Sequence, residues 1–177
     1  MKKGLVIIIF VIVFLILLGT ISYMATEKTV TNREDLYEKI EEYLVSLEEP
    51  HYSIETKEST PNYDIGDFKV FTNIQKLGIK QKGNQIYVYV WATVHSYYVE
   101  NHQLEINSGY SAPCKFIIEN DEVINYIMPE DGERYAESVK EIFPKDIREK
   151  MKNLDSDERN INIKQQVDEY YSYLENE

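Results

Sequence analysis

Three histidines, His51, His95 and His102, and a single cysteine, Cys114, carry the most reactive side chains of this chain. A thiol and an imidazole brought together would start a nucleophilic site, and His95 and His102 could converge with Cys114 across neighbouring strands, the competing reading being that His102 lies in a loop. Nothing in their spacing defines such a site, however, and an unpaired cysteine is most often a buried small hydrophobe, which is the expectation here. No two histidines stand at i, i+4, and one cysteine cannot build a cysteine-rich zinc site, so no metal and no cofactor are expected. The run Asn153-Leu154-Asp155-Ser156-Asp157 spaces oxygens like the start of a calcium loop. Glu158 occupies the position of the sharp-turn glycine, and Lys164 that of the bidentate glutamate. Helix capping by Asp155 or Asp157 is the better account. Glu130 and Asp131, with Glu133 nearby, offer carboxylates for acid–base work on glycans. An acidic cluster beside Gly132 and ahead of a helix more simply complements the helix dipole.

The aromatic pattern carries more. Tyrosine occurs 15 times, and Tyr87, Tyr89, Trp91 and Tyr97 share one face of the strongest strand signal. Such a stripe can receive a partner protein or stack on sugars, and it is the candidate partner-binding face. The competing reading makes it core, covered by C-terminal helices that contain Tyr170, Tyr171 and Leu174.

These residues have to be positioned by a chain with a net charge of −12. Lys2 and Lys3 precede an uncharged run, so the remainder carries about −14. That balance repels phosphate backbones, and nucleic acid is not expected as a partner. Positions 4–24 read GLVIIIFVIVFLILLGTISYM, long enough as a helix to cross a hydrocarbon core of roughly 30 Å. The lysines before it place the N-terminus in the cytoplasm and the rest outside. A cleaved signal peptide is the alternative, but the apolar run is long for one, and Tyr23 stands where cleavage after Ala25 wants a small residue. The expected division is a cytoplasmic end at 1–3, a transmembrane helix at 4–24 that makes the membrane a partner, a polar tether at 25–31 and an extracytoplasmic domain at 32–177.

Within that domain Asn32 can cap a first helix, with Asp35 reaching back and Leu36, Ile40, Tyr43, Leu44 and Leu47 on one face; Pro50 is expected to end it. Phe68, Val70 and Thr72 then alternate as a strand. Gly83-Asn84 turns into a central strand whose Ile86, Val88, Val90, Ala92 and Val94 face the helix. Asn107-Ser108-Gly109 reads as a turn into a strand over 114–118, and Glu119-Asn120-Asp121-Glu122 as a turn into 123–128. Tyr135, Val139, Ile142 and Phe143 define a helix stopped by Pro144, which can open another with Ile147, Met151 and Leu154 inward. Ile163, Val167, Tyr170, Tyr171 and Leu174 define a last helix.

The predicted class is therefore α+β: a helix packed on a curved antiparallel meander of about four strands, with added C-terminal helices. This order of elements over 32–128 resembles the cystatin-like and NTF2-like folds, which recur as membrane-tethered extracytoplasmic domains in Gram-positive bacteria. The segment MPEDGERYAESVKEIFPKDI is similar to the tail of uncharacterised bacterial envelope proteins. That likeness carries no activity; the anchor, the fold type, the aromatic stripe and the absence of catalytic spacing together lead to the expectation of a non-catalytic interaction or scaffold module of the envelope that binds another envelope protein or itself. A small-ligand or sensor domain with a pocket under the helix is the second possibility, and a wall-polymer enzyme the third.

Overall fold

A computed structural model describes residues 28–29, 33–59, 68–100 and 103–172. Four long antiparallel strands form the sheet as a meander: β2 (Lys69–Lys82), β3 (Gln85–Glu100), β4 (Gln103–Glu119) and β5 (Glu122–Ile127), with a two-residue strand β1 (Lys28–Thr29) on the β2 edge. Helix α1 (Glu34–Ser59) precedes the meander. After it come a 3-10 turn (Gly132–Arg134), α2 (Tyr135–Ile142), α3 (Lys145–Met151) and α4 (Ser156–Tyr170). The α+β class and the four-stranded curved meander expected from the sequence are present.

The strands bend because each long ladder carries an irregularity, at Lys76/Gly78, at Ser96/Tyr97 and at Ile117/Ile118. An extra residue on one strand kinks it and increases its twist. The β4–β5 turn is tight, with Asn120 and Asp121 both at positive φ (50° and 70°), the geometry a two-residue hairpin prefers.

Alternation in β3 sorts the two faces. Val88, Val90, Ala92 and Val94 point toward α1 and join Leu36, Ile40, Leu44, Cys114, Phe116 and Ile118 in the main core. Polar contacts fix how α1 crosses the sheet. Glu34 pairs with Lys76 on β2, Lys39 with Asp121 in the β4–β5 turn, and Glu48 accepts from Ser108 on β4 at 2.9 Å.

Two expectations need correction. The helix runs past Pro50 to Ser59; a proline removes one i→i−4 bond and crowds the preceding turn, which weakens a helix without obliging it to stop. The Asp35 carboxylate accepts from the Arg33 guanidinium at 2.8 Å, and Asn32, its expected capping partner, lies outside the described residues. Asn107-Ser108-Gly109 is no turn but part of continuous β4. Ser96 pairs with Ser108 and Tyr97 with Ile106, which leaves Asn107 as the extra residue of a bulge, a position that favours the same small polar residues. Within the expected tether at 25–31, Lys28 and Thr29 pair with Gln81 and Lys80. The expected membrane helix at 4–24, the Asn32 cap, His102 and Leu174 lie outside the described residues. Among those described, no helix is long and apolar enough to cross a membrane.

Candidate interaction face

The outer face of the sheet is covered in two places by different helices. At one end α2 and α3 lay Phe143 and Ile147 on Leu77 and Tyr89. Ile147 can approach because position 78 is glycine; a Cβ there would stand 2.8 Å from Ile147 Cδ1. Lys80 donates to Asp146 at 2.9 Å, and this bond holds the Asp146 carboxyl below its usual range. Lys150 donates to the Leu77 carbonyl at 2.6 Å. At the other end α4 brings Ile163, Val167 and Tyr171 onto Phe71. Asp155 caps this helix by accepting from the Asp157 and Glu158 amides, and Gln166 donates to the Thr72 carbonyl at 3.1 Å.

Between these covers lies a band of polar and aromatic groups drawn from three strands. Trp91 is flanked across the ladders by Gln75 on β2 and Pro113 on β4. Its indole N–H donates to Ser111 Oγ at 2.8 Å, and Ser111 Oγ lies 2.9 Å from Thr93 Oγ1. The pairing of Thr93 with Ser111 and with Asn73 puts all three on one side of the sheet. The Asn73 side-chain oxygen is buried without a hydrogen-bond partner among the described residues. His95 lies over Gly109, where a Cβ would come within 2.9 Å of the ring. Its Nδ1 is 3.4 Å from the Tyr97 hydroxyl. Burial lowers the His95 pKa, so the imidazole is neutral at neutral pH.

The four residues of the expected stripe meet different fates. Tyr89 is 1% exposed beneath Phe143, at 6.0 Å between ring centroids. Tyr87 packs half-buried beside the same cluster, with Lys115 Nζ 4.2 Å over its ring. Tyr97 packs half-buried against the α4 cluster, 5.9 Å from Phe71. Trp91 alone stands in the band between the covers. Ser111, Asn73 and Gln75 were not singled out in the sequence. Their signal is the alternation along β2 and β4 once the ladders to β3 set the register.

The catalytic candidates do not converge. Cys114 pairs with Val90 and therefore faces α1, whereas His95 faces the opposite side. Cys114 is 0% exposed, and burial pushes its thiol up to about 12, which keeps it protonated and unreactive. Glu130 lies 3.3 Å from Arg134 on the surface. Among the described residues no three of His, Cys, Asp and Glu gather as metal ligands.

The fold and this face define a helix-on-meander α+β domain with a half-covered outer sheet surface. No protein-family model, curated protein or solved structure matches the chain.

Proposed function

We propose that this chain is a single-pass membrane protein whose outer domain is a non-catalytic interaction module of the bacterial cell envelope. In this reading residues 4–24 cross the plasma membrane, residues 1–3 stay in the cytoplasm, and the domain meets a partner protein through the outer sheet face around Trp91. One contrast carries it: the α1 side is filled, while the outer face is interrupted by a polar band. Leu36, Ile40, Leu44, Val88, Val90 and Phe116 are all at 0% exposure beneath α1. That filling counts against a ligand cavity under the helix. Trp91, Ser111 and His95 supply an aromatic anchor with polar neighbours, the composition typical of protein contact surfaces.

Photo-crosslinking from positions 91 and 111 of the full chain in its native membrane, with Glu42 on the exposed side of α1 as control, tests this. A discrete adduct captured from the band and not from Glu42 is the expected result. Capture at Glu42 alone, or the same mixture from every position, would remove the outer face as the contact surface.

A further inference from the structure

A second surface sits on the same half of the molecule as β1. Between α2 and α3 runs a groove of about 500 Å³ with an apolar floor that includes Tyr135, Val139 and Met151. Its rim is cationic: Lys140, Lys145, Arg148 and Lys152 line it, and Glu149 is the only carboxylate among the lining residues. Glu149 stands 4.0 Å from Lys145. The Arg148 guanidinium is pinned by donating to the Lys140 and Phe143 carbonyls. Lys140 and Lys152 have no ion-pair partner among the described residues. On a chain of net charge −12 such a rim is a local inversion of sign.

The position of the groove says what it faces. The first turn of α3 is tied to β2 by the bond from Lys80 to Asp146. Lys80 is also the strand position that pairs with Thr29 of β1. From position 24 to Lys28 an extended chain spans at most about 14 Å. The headgroup layer takes up about 5–8 Å of that distance. β1, and α3 beside it, are therefore held close to the bilayer, and the apolar floor with its basic rim matches an anionic lipid surface in both polarity and charge. The remaining acidic surface is repelled by the same lipids, so the domain is oriented groove first.

We infer that the groove between α2 and α3 docks on the anionic headgroups of the bilayer that anchors the chain, and so orients the Trp91 face relative to the membrane. This rests on the anchor proposed above. Each lysine near an anionic surface contributes about fivefold to association. Replacing Lys140, Lys145 and Lys152 by glutamine should then lower the ratio of docked to undocked domain about a hundredfold. All three side chains are exposed, so the variant should keep its near-UV dichroism.

The test uses the full chain in vesicles of phosphatidylcholine with or without phosphatidylglycerol, containing a lipid with a nitroxide on its headgroup. A fluorophore is placed at Ala136→Cys beside the groove or at Ile161→Cys on the exposed side of α4, since buried Cys114 is shielded from labelling. Docking is supported by quenching at 136 that exceeds quenching at 161, requires phosphatidylglycerol and disappears in the triple lysine variant. Equal quenching at both sites, or quenching at 136 that survives in phosphatidylcholine alone or in the triple variant, overturns docking while leaving the anchor intact. A chain that does not float with the vesicles overturns the anchor, and docking with it.

Discussion

The two faces of the sheet are closed in different ways. On the inner face one long helix covers a continuous cluster running from Val70 through Val90 to Phe116 and Ile118. On the outer face two short helical units cover separate clusters, around Tyr89 and around Phe71, with Trp91 and Thr93 between them. A continuous apolar interface makes the strands and α1 one cooperative unit, whereas small separate clusters can open singly. The lesson is that sheet integrity resides on the inner face, while the outer face carries polar groups, among them the buried Thr93, between its two clusters.

The largest effect is expected from Phe116→Ala. Its ring is fully buried, edge-on to Tyr43 at 6.2 Å and stacked on Tyr126 at 5.8 Å. Its loss should cost about 3–5 kcal/mol and lower the urea midpoint of the whole domain. Phe143→Ala on the outer face should cost about 3 kcal/mol or less. Its signature should be local: amides of α2 and α3 lose hydrogen-exchange protection while those of β3 and β4 keep it. Simultaneous loss across both regions would break the distinction between the faces.

Acid should separate the outer face into two titrations. Burial lowers the folded pKa of His95 below the ordinary 6.5, so the unfolded chain takes up a proton that the folded chain refuses. Stability from this group is complete above 6.5 and declines as pH falls from there to the folded value, after which the group adds no further slope. The Asp146 contribution has the opposite origin. Its folded pKa lies below 3.8, so its stabilisation is present above that value and is lost as pH falls through the folded one. His95→Gln should flatten the first region of a stability-against-pH curve measured by urea unfolding and leave the second. An unchanged slope near pH 6 would mean that the ring is not shielded by Gly109 and Tyr97 as described.

The smallest effect is expected from Ser111→Ala. It removes the indole's partner in the band and should cost about 1 kcal/mol. Trp91 is the only tryptophan, so its emission should shift while the far-UV spectrum and the Phe116 core remain unchanged. A constant emission spectrum would show that the Trp91–Ser111 bond does not define the indole's surroundings.

Much of the inner face could be read from the chain because a single period governs it. The alternation of Ile86, Val88, Val90, Ala92 and Val94, set against the helical spacing of Leu36, Ile40 and Leu44, places both partners without knowledge of anything else. The outer face follows no single period. Whether Tyr89 is core and Trp91 half-open depends on where Phe143 and Ile147 land, and that is decided by Gly78 and the Lys80–Asp146 bond across the chain. Two local signals misled because one residue chemistry serves two structures. Asn107-Ser108-Gly109 suits a bulge as well as a turn, and Pro50 marks a weakened helix as readily as a finished one. The groove was not legible at all, since its lysines come from two helices and acquire meaning only when α2 and α3 are placed side by side.

The bulge at Asn107 has a further consequence for which strand alignment the chain keeps. Strands β3 and β4 are long, 16 and 17 residues, and a ladder of that length slipped by one residue would turn every side chain to the wrong face. Asn107 donates to Ser96 Oγ at 3.1 Å, Ser96 lies 2.8 Å from Ser108 Oγ, and Ser108 donates to the Glu48 carboxylate of α1. This relay can be completed only when the hairpin is in register and the helix is seated. It therefore adds to the stability of the native strand alignment over a slipped one, and ties that alignment to the seat of α1.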